Sequence, residues 1–315
     1  MYSVGATEAP FLLTPLELKE ASSSTGSKVV ALDASWHMPN SPRRSRDEFN
    51  QKRLPNARFL DLDEVASPHE LGLKHMMPSA KDFANACESF GIEPDTHIVI
   101  YDSHGIFSAP RALYMFRAFG HKNSSVLDGG LPAWEAANFA VDNFPSPTVI
   151  EKTTYPEPTL DTEAVKSYEQ VVSNAELDPA GEPAAALVID ARSHGRYTGK
   201  DPEPRPGLPS GHIPHSFSLP FTSFLKQNVT PSGSTYTTFL PVPELRSALV
   251  NALGETNAKD VLEGRRKIVA SCGSGMTAGV LWLGLRLLGV EKPGLYDESW
   301  TGYAARSSSK IVKDV

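Results

Sequence analysis

The chain repeats itself, and that repetition limits its possible folds more than any other feature. VVALDAS (29–35) reads as a buried strand ending in Asp33, and ALVIDARS (186–193) as another ending in Asp190. Each is followed by a proline turn into an apolar strand, RLPNARFLDLD (53–63) and GHIPHSFSLPF (211–221). THIVIYDSHG (96–105) then pairs with RKIVASCGSG (266–275), each a β-branched run ending in a glycine loop. Helical patterns follow, APRALYMFRAFG and TAGVLWLGLRLLG, both closing on glycine as a helix C-terminus does. The last pair is SVLDGGLPAW (125–134) with GLYDESWTGY (294–303). Partner spacing grows from 157 residues (Asp33 to Asp190) to 170 (Asp102 to Cys272), as insertions in the second copy would cause. Any α/β domain alternates strands and helices, so alternation alone carries little. Four matched elements in one order favour duplication.

Strands alternating with helices imply a parallel sheet in each half, an α/β class in which ligands bind beyond the carboxyl ends of the strands. The 315 residues suit two domains. Between the copies, NFPSPTVIEKTTYPEPTLD (143–161) is proline-rich and aperiodic, which reads as a linker. The expected division is a first domain over 1–146, a linker over 147–160 and a second domain over 161–315. A net charge of −7 argues against nucleic acid or an anionic membrane as partner. The longest apolar run, VLWLGLRLLGV (280–290), is too short to span a bilayer and carries Arg286. Two cysteines, Cys87 and Cys272, make no disulfide framework, which points to a reducing compartment. No basic residue precedes Lys19, so neither a secretory signal nor an Arg-rich transit peptide is evident, and the cytosol is expected.

VASCGSGMTAG (269–279) places Cys272 at a strand end, immediately before a helix. Its counterpart in the first copy is Asp102, so only the second copy can carry thiol chemistry by this route. Gly273 and Gly275 let the backbone turn tightly and approach a ligand. Successive N–H groups in such a turn form an anion-binding nest, and the following helix adds its positive end. Both effects lower a thiol pKa, and the thiolate is the nucleophile. The plainer alternative is a small hydrophobe buried at a strand end. Three rival motifs fail on these residues. A Cys-x5-Arg phosphate loop needs arginine where Ala278 stands. A G-x-S-x-G elbow around Ser274 fails because Cys272 holds the first glycine position. Neither a Gly-Lys phosphate loop nor a Cys-x-x-Cys pair is present. What survives is a cysteine that accepts a group other than phosphate.

CGSGMTA, LDASWHMP, SAPRALYMFRAFGH, LDGGLPAW and DARSHGRYTGKDPEPRPGLPSGHIP together resemble the rhodanese superfamily in its tandem two-domain form, over nearly the whole chain. The first of these is similar to the active loop of 3-mercaptopyruvate sulfurtransferases, with Met276 where valine is usual. The resemblance implies two rhodanese-like domains, each a parallel sheet flanked by helices, the second one catalytic. It implies Cys272 as nucleophile, with Gly273, Ser274, Gly275, Met276 and Thr277 around the substrate. It also implies Arg196 and Arg205 as the pair holding the substrate carboxylate, a task suited to the guanidinium fork. Without the resemblance they would read as surface arginines in a Pro/Gly-rich insertion. Asp63 and His75 match an Asp and a His that the family combines with the loop serine, here Ser274, in a proton relay spanning both domains. The plainer reading of His75 is an ordinary loop histidine, and His69 lies in the same segment. Trp36 fits either the cleft or the core. Cys87, in the amphipathic pattern DFANACESFG, reads as packing.

The implied activity moves the sulfur of 3-mercaptopyruvate through a Cys272 persulfide to an acceptor, releasing pyruvate. The acceptor would be a thiol reductant such as thioredoxin, cyanide or a sulfur-carrier protein, and no metal or organic cofactor is required. A mitochondrial share beside the cytosol stays open. Thiosulfate-preferring relatives carry basic residues in the loop, whereas Gly273, Ser274 and Gly275 supply none. Two alternatives stand beside this one: a thiosulfate:cyanide sulfurtransferase, and a non-enzymatic sulfur relay for tRNA or cofactor thiolation. Turnover with a small thiol acceptor separates enzyme from relay.

Overall fold

In a computed structural model describing residues 8–24, 26, 28–143 and 150–314, the chain forms two five-stranded sheets. The first contains β1 (Leu12–Leu13), β2 (Val29–Asp33), β3 (Arg58–Phe59), β4 (His97–Tyr101) and β5 (Ser124–Leu127). Its order is β1-β5-β4-β2-β3, and every pairing is parallel. The second half contributes β6 (Val165–Lys166), β7 (Leu187–Asp190), β8 (Phe217–Ser218), the hairpin strands β9 (Leu225–Val229) and β10 (Thr235–Phe239), then β11 (Ile268–Ser271) and β12 (Gly294–Tyr296). Apart from the hairpin, its sheet runs β6-β12-β11-β7-β8, again all parallel.

The two orders coincide, and so do the hydrogen bonds where the chain leaves each strand. Ala34 N donates to Tyr101 O at 2.9 Å, and Ala191 N to Ser271 O at 2.8 Å. Leu60 N donates to Asp33 O at 2.8 Å, and Leu219 N to Asp190 O at 2.9 Å. Leu131 N donates to Asp102 O at 3.1 Å, and Trp300 N to Cys272 O at 2.9 Å. The last pair equates Asp102 with Cys272 in space as the repeat does in sequence.

The β-branched runs behave as parallel strands covered on both faces must. All four residues of β11 are buried, as are the last four of β4. The covering helices after these strands, Ala109–Ala118 and Ala278–Leu287, are buried over most of their length. In the first unit Leu13, Leu18, Val99, Tyr101, Leu127 and Trp134 share one apolar cluster. In the second, Val171, Val188, Ile213, Val269, Tyr296 and Trp300 do the same. Local signals set the element ends: Thr14 and Glu17 form a reciprocal capping box ahead of the helix Pro15–Ser23. Among the described residues no helix is long and apolar enough to cross a membrane.

By contacts the chain does not divide into two continuous stretches either side of the segment 147–160. One unit gathers Met1–Ser67, Met77–Leu160 and Lys226–Phe239; the other gathers Pro68–Met76, Asp161–Leu225 and Leu240–Val315. The hairpin joins the first unit through directional contacts. Ile106 N donates to Thr237 Oγ1 at 3.2 Å, and Phe239 N to Asp128 Oδ1 at 3.0 Å. Gly105 admits no side chain here, since a Cβ would lie 2.5 Å from the Thr237 carbonyl oxygen. Of the expected linker, residues 147–149 lie outside the described residues. The remainder belongs to the first unit rather than running free. Tyr155 is buried, its hydroxyl 2.8 Å from His121 Nδ1, and Thr153 Oγ1 donates to Ile92 O at 2.8 Å. Proline richness denies this stretch a regular element without denying it packing.

Candidate active site

Cys272 follows β11 directly, at the carboxyl edge of the second sheet, and is 1 % exposed. The loop bends back at Gly275 (φ +84°), whose N–H donates to Cys272 Sγ at 3.1 Å. An N–H aimed at sulfur stabilises negative charge there, whether on a thiolate or on a persulfide. The helix Ala278–Leu287 begins next, and in its first turn the N–H groups of Gly279 and Val280 donate to Met276 O and Thr277 O, both at 3.1 Å. Ser274 and Met276 are buried and Thr277 half-buried. Met276 therefore serves the loop by packing.

A second chain segment clasps the loop from behind. Ser299 Oγ accepts the Cys272 N–H at 3.0 Å, donates to Tyr296 O at 2.9 Å and lies 4.0 Å from Cys272 Sγ. Ser299 sits at φ +50°, in the left-handed region that a serine adopts only under constraint. That turn points the following amides back, so Thr301 N donates to Gly273 O at 2.9 Å. Sequence reasoning missed Ser299. The signal was available in the repeat, because the first copy has Gly130 at the matching place, with φ +53°.

Arg196 and Arg205 converge on this loop. A Cβ built on Gly273 would stand 3.1 Å from Arg196 Nη2 and 3.7 Å from Arg205 Nη1, so glycine here keeps the path to the guanidiniums open. Arg196 is held in turn by Glu203, with Nε at 3.1 Å from Oε1 and Nη2 at 2.6 Å from Oε2. Glu203 also receives Arg192 Nη1 at 2.8 Å. Arg192 is fixed by Asp190 at the end of β7 (Nη2 to Oδ2, 2.6 Å) and by Gly211 O at 2.7 Å, and lies 4.1 Å from the centre of the Trp300 ring. Burial opposes the Arg192 charge, but the Asp190 and Glu203 carboxylates outweigh it and hold its pKa above the ordinary value. Arg192, Glu203 and Trp300 were missed as site residues, although the first two stand in the motif run that contains Arg196 and Arg205.

The proposed relay residues divide between the units. His75, buried at φ +48°, belongs with Ser274 in the second unit, and Asp63 belongs to the first. Asp63 is exposed, with Trp36 Nε1 3.4 Å from its Oδ2; Trp36 stacks on Phe107 at 6.4 Å. Cys87 is packed within the helix Ala80–Ser89, and burial pushes its thiol well above the usual range. Among the described residues no group of three or more His, Cys, Asp or Glu side chains is placed to hold a metal ion.

The first copy shows what this loop geometry does with an anion. The Asp102 carboxylate, fully buried, accepts the N–H of His104 at 2.9 Å on one oxygen. Its other oxygen accepts those of Phe107, Ser108 and Ala109 at 2.8, 2.9 and 3.0 Å. The nest is filled by the chain itself. Around it the polar groups bond to one another: His104 Nε2 lies 2.9 Å from His37 Nδ1, His37 Nε2 3.0 Å from Glu48, and Arg43 grips Glu48 through two nitrogens at 2.7 Å. Burial pushes both imidazoles toward their neutral forms.

Comparisons with known proteins agree with this architecture. The Rhodanese-like domain family matches residues 14–137 and 173–306. The chain is 34% identical over 308 residues to a probable 3-mercaptopyruvate sulfurtransferase of Schizosaccharomyces pombe, covering 98% of this chain and 97% of that protein. It is 36% identical over 298 residues to thiosulfate/3-mercaptopyruvate sulfurtransferase 1, mitochondrial, of Arabidopsis thaliana, covering 89% of this chain and 73% of that one. The crystal structure of Tum1 from Saccharomyces cerevisiae superposes with a TM-score of 0.80 at 28% identity, covering 97% of this chain and 99% of that one. With two matched domains, coincident sheet orders and a cysteine at one of the two equivalent strand ends, the chain belongs to the rhodanese family in its tandem form.

Proposed function

We propose that this chain is a sulfurtransferase acting on 3-mercaptopyruvate through Cys272. The observation that carries the reading is the convergence of Arg196 and Arg205 on the loop whose Gly275 N–H points at Cys272 Sγ. The guanidiniums take the substrate carboxylate and present the sulfur to the thiolate. Attack forms the S–S bond, and the C–S electron pair passes to carbon, leaving pyruvate as its enolate. A proton delivered to that carbon completes pyruvate, and we assign its delivery to Ser274 and His75, which belong to one unit. The persulfide remains on Cys272 with its charge held by loop N–H groups, until a thiol such as that of thioredoxin, or a sulfur-carrier protein, takes the terminal sulfur. We place the enzyme in a reducing compartment, the cytosol with a mitochondrial share, in keeping with two free cysteines.

Pyruvate release from mercaptopyruvate, measured beside thiocyanate formation from thiosulfate and cyanide, tests the reading. Mercaptopyruvate is expected to lead in kcat/KM by at least roughly tenfold, about 1.4 kcal/mol. The loop residues Gly273, Ser274 and Gly275 put no charged side chain beside Cys272, and a second substrate charge in a partly desolvated cleft is costly. A lead for thiosulfate would overturn the assignment in favour of a thiosulfate:cyanide enzyme. Sulfur loading without turnover toward a small thiol would favour a relay module.

The clamp gives its own expected result. Arg196→Ala and Arg205→Ala should each cost about 1.5–3 kcal/mol in kcat/KM for mercaptopyruvate, the range of a charged hydrogen bond. Steady-state kinetics at matched folded fraction reads this directly. Unchanged values in both variants would return them to the role of surface arginines.

A further inference from the structure

We propose that Glu203 sets the charge of the substrate cleft, and through it the choice between a singly and a doubly charged sulfur donor; this rests on the cysteine-based transfer proposed above. Its side chain is 1 % exposed and bridges two arginines, Arg192 and Arg196. Together with Asp190 these groups form a cluster of two carboxylates and two guanidiniums, neutral as a whole. The members have unequal supports. Arg192 keeps Asp190, Gly211 O and the Trp300 ring without any help from Glu203. Arg196 has its Nε and Nη2 turned onto Glu203, with Nη2 also 3.1 Å from where a Cβ on Gly273 would stand.

Two consequences follow from that geometry. Glu203 occupies one edge of the Arg196 fork and so fixes the direction from which a substrate anion meets it. It also cancels a full positive charge a few ångströms from the cysteine loop, in a setting where water screens poorly. A donor with one carboxylate loses little by this. A small dianion loses most, because its second charge meets a guanidinium already neutralised. Glu203 is thus a positioning and selectivity residue for the family's reaction, acting through Arg196.

Glu203→Gln keeps the size of the side chain and removes its charge, and Glu203→Ala removes both. Sulfur loading of Cys272 from thiosulfate and from mercaptopyruvate would be followed by rapid quenching and intact mass, with kcat and KM from steady state. In each variant the thiosulfate-to-mercaptopyruvate ratio of kcat/KM is expected to rise roughly tenfold, through a lower KM for thiosulfate. The rise should shrink in high salt. Glu203→Asp, which restores the charge, should return the ratio toward wild type even where its rates are lower. Simple structural damage would lower both donors together and leave the ratio in place. An unmoved ratio in the folded charge-removing variants, with wild type loading normally, overturns the role of Glu203 alone. Wild type that loads from neither donor overturns the sulfur-transfer reading itself and the role of Glu203 with it. Because two unlike substitutions carry one expectation, a folding failure of either leaves the other decisive.

Discussion

Cys272→Ser is expected to abolish sulfur transfer while leaving the fold in place. The hydroxyl is smaller than the thiol and can still accept the Gly275 N–H that now meets Sγ at 3.1 Å. Ser299 still receives the backbone N–H of residue 272, and Trp300 N still donates to its carbonyl, so the loop keeps its anchors. What disappears is the polarizable nucleophile and the one thiol of this loop that can carry the second sulfur. Turnover should fall by roughly a thousandfold or more, about 4 kcal/mol. After exposure to mercaptopyruvate, intact mass should show one added sulfur on wild type and none on the variant. A variant that still loads sulfur would move the chemistry away from this loop altogether.

Asp102→Ala should be the most damaging single change at the equivalent place in the first copy. Four backbone N–H groups converge on that carboxylate, three of them on one oxygen. Alanine leaves them facing a small gap where a charged acceptor stood, and buried donors without acceptors cost far more than a hydrogen bond contributes. A loss of about 2–4 kcal/mol is expected in that unit. Hydrogen exchange reads it locally: the amides of Ser108 and Ala109 should exchange about 30- to 1,000-fold faster, the factor that such a loss represents. Asp102→Asn should recover part of the protection, since its carbonyl can replace one of the two acceptor oxygens. Wild-type exchange in the alanine variant would mean that the loop holds its shape without the carboxylate.

The features legible in the sequence were those carried by neighbours along the chain. β-branched runs mark β4 and β11, and the repeat matches Asp102 to Cys272 as the strand-end hydrogen bonds do. Arg196 and Arg205 were found by resemblance, and the structure brings both to Gly273. The unread parts depend on partners distant in sequence. Nothing local shows that Glu203 is buried between two arginines, or that Ser299 takes a left-handed turn under the cysteine. The hairpin is an instructive case. KQNV and TYTTF flank Thr230-Pro-Ser-Gly-Ser, a plain turn between two runs suited to strands, yet only the bonds to Ile106 and Asp128 tell which unit it joins. The stretch 150–160 misled in the opposite sense. Its prolines suggested a tether, while Tyr155 packs against Phe83, with ring centres 5.8 Å apart, and meets His121.

The exchange of segments between the units bears on how such a protein can be divided. Expressing 161–315 alone would omit Pro68–Met76, a segment that groups with that unit and holds the buried His75 and Met76, and would leave Lys226–Phe239 without the body it packs on. Expressing 1–146 alone would omit the strand that lies against Gly105 and Ile106. Each half inherits from the other a piece it needs for closure. A deletion that removes either half is therefore expected to damage the survivor as well.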